Sequence, residues 1–251
     1  MRKYLIAAAM LIVCTAVIYA GLRYRKDVYL PEKELQEDYE RLTEEIDNIR
    51  PDIHFEDENP DSDENNSPLE KAENYNSDIV GWIKIPETNI DYPIVQSDDN
   101  DYYLHHALDG SDNQLGVPFL DCRCLPDFSG FTSIVYGHHF SGMRMFAQIF
   151  SFKERSFLEQ HNIGYLIAND EVKKISFFAY LNIKSNSPIY HTVFLTENER
   201  EDYLKTLFSE AAFTENYEKE DLVDKHLLLL STCTYEFEDA RGVLVGVIED
   251  S

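Results

Sequence analysis

Leu227-Leu228-Leu229-Leu230-Ser231-Thr232-Cys233 is the stretch that sets the architecture, with Arg241 eight residues after the cysteine at the head of a second apolar run, 243–248. Short, continuous apolar runs of this length suit strands buried in a sheet. A thiol at the end of a buried strand is held rigidly, and an arginine opening the next strand can sit beside it. Upstream, Tyr136-Gly137-His138-His139 closes another apolar segment, 131–136, and offers an imidazole in the same kind of position. The three stretches make a candidate Cys/His/Arg site on a strand scaffold.

Working outward, short β-like runs separated by turn residues begin at Ile79. They cover 79–85, 90–96, 117–121, 131–137, 163–168, 172–183, 227–232 and 243–248. Two helices are expected among them. One covers roughly 143–160. The other starts at Thr196, where Thr196 and Glu199 form a capping box, and places Tyr203, Leu204, Leu207, Phe208 and Ala211 on one face. Eight strands with inserted helices predict a mainly β protein built as a closed or nearly closed barrel.

The N-terminal quarter reads differently. Residues 4–22 carry no charge, and nineteen residues at 1.5 Å rise span roughly 28 Å, one hydrocarbon core. Arg2 and Lys3 precede this segment and Arg23, Arg25 and Lys26 follow it. Ile18 stands two before Ala20, so a small-x-small cleavage site is missing and an uncleaved signal anchor is favoured over a cleaved signal peptide. Residues 31–50 predict a helical stalk, with Leu35, Tyr39, Leu42, Ile46 and Ile49 at steps of four and three. Residues 52–66 are acidic, poor in apolar side chains and interrupted by Pro60, which predicts a flexible spacer. The expected division is an anchor at 1–26, stalk and spacer at 27–67, and a catalytic domain at 68–251 that opens with a short helix.

The formal charge of -25 argues against a nucleic-acid partner and against docking on an anionic bilayer through a basic patch. Four cysteines, at 14, 122, 124 and 233, make no disulfide framework or zinc knuckle at these spacings. Cys122 and Cys124 read as ordinary small thiols. The pair His105-His106 has no third ligand in its vicinity and reads as structural, so neither a metal nor a cofactor is expected.

Thiol catalysis needs a thiolate, and an unperturbed thiol with a pKa near ~8.5 is mostly protonated at neutral pH. A neighbouring imidazole can take that proton and return it to a leaving amine. Arginine stays protonated and is suited to holding a carbonyl or a developing oxyanion. The same residue types at the end of an apolar strand also fit a buried core thiol that does nothing.

From about Asn76 to Ile248 the chain resembles the sortases, and class B sortases most closely. The resemblance is carried by Ile79-Val80-Gly81-Trp82-Ile83-Lys84-Ile85, Tyr102-Tyr103-Leu104-His105-His106, Ile134-Val135-Tyr136-Gly137-His138-His139 with Met145-Phe146, and Leu230-Ser231-Thr232-Cys233 with Arg241. It implies an eight-stranded barrel with N-terminal helices and an inserted helix between the sixth and seventh strands. It further implies a single-pass membrane protein of a Gram-positive cell, tethered through its N-terminal helix, with the catalytic domain outside. The implied nucleophile is Cys233, the arginine Arg241, and the histidine His138, with His139 as fallback. Ser231 and Thr232 are candidate hydrogen-bond donors at the groove floor, and the inserted helix is expected to wall one side. The implied substrates are secreted proteins with a C-terminal Asn/Ser-Pro-x-Thr-type signal, joined to a peptidoglycan or pilin amine. A plain cysteine protease and a non-catalytic tethered binding module are the alternatives.

Overall fold

The computed structural model describes residues 15–53, 67–140, 142, 144–234 and 236–249, and the chain divides into two compact units, residues 1–44 and 45–251. In the first unit the described residues are helical from Thr15 onward, pass through a π-helical turn at Arg25–Tyr29 and enter helix α1, Leu30–Ile49. Arg23 pairs with Asp27 at 2.9 Å and Lys33 with Glu37 at 2.5 Å, both one helical turn apart.

The expected single-pass membrane location is corrected here. Among the described residues, no helix is long and apolar enough to cross a membrane. The uncharged stretch that is described, residues 15–22, covers only about 12 Å at 1.5 Å per residue before Arg23 and a run of charges begin. Residues 4–14 of the expected anchor and 54–66 of the expected spacer lie outside the described residues.

The second unit contains α2, Glu70–Tyr75, followed by a closed β-barrel. Its eight strands are β1 Ile79–Lys84, β2 Asp91–Val95, β3 Phe119–Leu120, β4 Thr132–Tyr136, β5 Ile163–Ala168, β6 Glu171–Lys184, β7 His226–Cys233 and β8 Ala240–Ile248. Around the ring they run β8-β7-β4-β3-β2-β1-β5-β6, and β6 pairs with β8 to close it. The β2–β3 and β4–β7 pairs are parallel and the others antiparallel. Closure removes the open edges that a sheet of this apolar content would otherwise expose. A short outer strand, Ala211–Thr214, adds to the long β6.

Between β6 and β7, the sixth and seventh barrel strands, lies the inserted helix α4, Glu197–Glu210, once α3, Arg155–Gln160, is counted. Thr196 Oγ1 accepts from the Glu199 backbone N–H and the Glu199 carboxylate accepts from the Thr196 N–H, so the capping box is formed. Its buried face, Tyr203, Leu204 and Leu207, packs with Phe131, Ile134, Leu227, Leu229, Val243, Val245 and Val247 in one core.

The continuous helix expected over 143–160 is replaced by a 3-10 run, Phe146–Lys153, and then α3. Phe146, Ile149 and Phe152 are all fully buried. A spacing of three stacks them on one face at three residues per turn, which an α-helix would spread. Before this run, His139–Phe140 and Arg144–Met145 form a small hairpin.

Candidate active site

Side chains along a strand alternate between faces, and three strands bring one row each to the same place. On β7 the row is Leu227, Leu229, Ser231 and Cys233; on β8 it is Val247, Val245, Val243 and Arg241; on β4 it is Ile134 and Tyr136, continuing to His138. The lower members of these rows lie in the core covered by α4. Beyond it the rows open into a groove of about 800 Å³, lined by Cys233, Arg241, His138, Ser231 and Thr232 together with Tyr136, Tyr190, Leu104, Asn100 and Arg123.

Register fixes the relative heights. Cys233 and Arg241 are direct partners across the antiparallel β7–β8 ladder. Ser231 is level with Tyr136 in the parallel β4–β7 ladder. The Gly137 N–H donates to the Ser231 carbonyl at 3.0 Å, and Thr232 Oγ1 donates to the Gly137 carbonyl at 2.8 Å. Cys233 and His138 each follow the Ser231/Tyr136 pair by two residues, and both line the groove. A Cβ on Gly137 would lie 2.7 Å from the Phe146 ring, so only glycine lets this segment run flat under the ring.

His138 Nε2 lies 2.9 Å from the Leu104 carbonyl. A carbonyl only accepts, so Nε2 carries the hydrogen and Nδ1 holds the lone pair. Burial lowers the pKa of His138 below the ordinary histidine value, the Leu104 bond opposing this in part, so the imidazole is neutral at pH 7. His139 falls on the other parity. It does not line the groove; its ring meets Phe150 edge-on at 6.3 Å and bonds to the Cys233 backbone.

Both groove-floor hydroxyls are engaged. Thr232 is spent on Gly137, and Ser231 Oγ lies 2.9 Å from the Tyr190 hydroxyl. Burial pushes the Tyr190 phenol up to about 12, so it stays protonated. Arg241 Nη1 donates to the carbonyl of Ala240 at 3.0 Å. Cys124 is buried, its thiol pushed up to about 11 by desolvation, which leaves it inert. His106 stacks on Tyr102 at 4.0 Å, and among the described residues no cluster of three His, Cys, Asp or Glu side chains could hold a metal ion.

No protein-family model matches the chain. Sortase B of Listeria monocytogenes is 32% identical over 180 residues, covering 71% of this chain and 72% of that relative. The chain belongs to the sortase B family. The crystal structure of Clostridium perfringens sortase B is similar, with a TM-score of 0.65 and 31% identity over 71% of this chain and 97% of that one. Sortase B of Staphylococcus aureus is 24% identical over 247 residues, 98% of this chain and 96% of that relative. As a sortase the protein is a cysteine transpeptidase: it cuts a sorting signal through a thioester and passes the acyl group to an amine. Sequence reasoning missed several groups of this sortase's groove. The carbonyls of Leu104 and Tyr190 leave no mark on residue type. Asp121 and Arg123 flank Cys122, in a stretch that attracts notice only for the thiols of Cys122 and Cys124.

Proposed function

We propose that Cys233 is the nucleophile, His138 the proton carrier and Arg241 the group that holds the scissile carbonyl. The observation carrying this reading is the pairing of Cys233 with Arg241 in the β7–β8 ladder, with His138 in the same groove two residues past Tyr136, the partner of Ser231 in the β4–β7 ladder. His138 Nδ1 takes the thiol proton as Sγ attacks the threonine carbonyl carbon. The negative charge that develops on the carbonyl oxygen is met by the Arg241 guanidinium. As the C–N bond breaks, the proton passes to the leaving amine and a thioester remains on Cys233. An acceptor amine then attacks, gives its extra proton through His138 to the departing Sγ, and the C–S bond breaks. Nε2–H on Leu104 keeps the ring oriented while it is charged, since a carbonyl favours the imidazolium.

The substrates in this reading are secreted proteins with a C-terminal Asn/Ser-Pro-x-Thr-type signal, and the acceptor is a peptidoglycan amine. Proline lowers the ordering cost of an extended peptide in the groove. The test is a quenched-fluorophore peptide of the Pro-x-Thr type, with products read by mass spectrometry. Cleavage after Thr and diversion of acid to amide by a cell-wall-type amine are expected. Cleavage without Thr preference and without response to any amine overturns the reading in favour of a plain cysteine protease.

A further inference from the structure

The chain carries 47 Asp and Glu against 22 Lys and Arg, yet among the described residues the groove is lined by two arginines and by no carboxylate. Arg241 is accounted for by its place opposite Cys233. Arg123 is not. Its guanidinium is clamped along one edge: Nε donates to Asp121 Oδ1 at 2.8 Å, and Nη2 donates to Asp121 Oδ2 at 2.6 Å and to the Tyr190 carbonyl at 3.3 Å. Among the described residues Nη1 has no hydrogen-bond partner, which leaves both of its N–H groups open. The Asp121 side chain is fully buried while that of Arg123 is 53% exposed. The ion pair is neutral as a whole, but its acceptor oxygens face inward and its donors face outward.

Asp121 is itself held. Burial alone would raise its pKa, but the bonds from Arg123 and from the Tyr136 hydroxyl, 3.0 Å away, outweigh that and keep it below the usual carboxylate range. Its backbone N–H bonds to the Ile134 carbonyl on β4, and Ile134 precedes His138 by four residues, about 13 Å of extended chain. That is the reach of an extended peptide of about four residues, so a signal seated at Cys233 brings a flanking side chain to the Arg123 end.

We propose that Arg123 is a specificity-determining residue that selects sorting signals with a carboxylate side chain near the scissile threonine. This rests on the reading of the groove as the signal site. A preorganised guanidinium with two open N–H groups favours a charged acceptor over a neutral amide, because charge-assisted bonds are the stronger ones.

The test is kcat/KM for a fluorogenic Pro-x-Thr peptide series in which each flanking position in turn carries Asp, Asn or Lys. A second arm compares an amine acceptor bearing a carboxylate with its amide. The expected result is one signal position at which Asp exceeds Asn by on the order of tenfold, with the advantage shrinking at high salt. Arg123→Gln should erase that advantage. The double variant Asp121→Asn/Arg123→Gln, which leaves no buried charge unpaired, should do the same. The same preference in both variants, or cleavage with no acid preference anywhere, overturns this proposal alone. A preference seen only in the acceptor arm overturns its assignment to the signal. Failure to cleave any peptide overturns the groove reading and the proposal with it.

Discussion

Cys233 and Arg241 face each other as register partners across two antiparallel strands, the last residue of β7 against the second residue of β8. Opposite residues in such a ladder have Cβ atoms about 5 Å apart. Backbone pairing thus sets Arg241 opposite Cys233. Arg241→Lys keeps the charge but loses the planar fork, and turnover is expected to fall by about 100-fold. Cys233→Ala is expected to abolish cleavage, while Cys122→Ala and Cys124→Ala retain most of it. Steady-state kinetics on a sorting-signal peptide checks all four.

His138 has a depressed pKa, so acid costs both function and stability in a defined direction. As pH falls below about 6.5, the ordinary value of a histidine, the unfolded chain takes up the proton more readily than the folded one. Stability attributable to His138 is present above that value and is lost as pH falls through its folded pKa. The acidic limb of kcat/KM is expected below pH 6.5. His138→Gln should flatten the dependence of melting temperature on pH in that window and remove activity, whereas His139→Gln retains activity.

Tyr190→Phe removes the hydroxyl that meets Ser231 Oγ, and Ser231 is only 1% exposed. A buried hydroxyl left without its partner costs about 1–3 kcal/mol. Chemical denaturation should report that loss. If the wall set by Tyr190 binds the signal, KM should rise more than kcat falls.

Gly137→Ala drives a methyl into the Phe146 ring. The segment must shift, and His138 with it. Displacements on the order of 1 Å at a reacting group cost about 100-fold in rate. Activity should drop by that order, with a melting temperature closer to wild type than the rate loss suggests.

Thr196→Ala removes the N-cap of α4, which lies in the core side of the same rows but away from the thiol. A loss of about 1 kcal/mol is expected, or roughly 2–4 °C in melting temperature for a domain of this size. Activity per folded molecule should stay within about twofold of wild type.

The barrel strands were legible because each is a short apolar run bounded by turns, and the inserted helix because its cap and face are written in side-chain types. Cys233, His138 and Arg241 stand out for the same reason, each ending or opening such a run. The 3-10 segment was misread since Phe146, Ala147, Ile149, Phe150 and Phe152 satisfy a helical pattern loosely, and only burial separates a period of three from 3.6. The Leu104 and Tyr190 carbonyls are backbone groups, present at every residue and given meaning only by where the chain folds. The membrane expectation drew on residues 4–22, whereas the described helix from Thr15 soon becomes charged.

The parallel pairing of β4 with β7 joins residues as far apart as Gly137 and Thr232, 95 positions along the chain. Such a contact carries a closure cost, because a long loop must close before any of its bonds can form. The placement of Arg241 opposite Cys233 is local to the β7–β8 hairpin, whereas the placement of the imidazole depends on contacts across the long β4–β7 separation. A chain in which that long-range pairing is broken can keep Arg241 opposite Cys233 while losing the register that brings His138 to the groove.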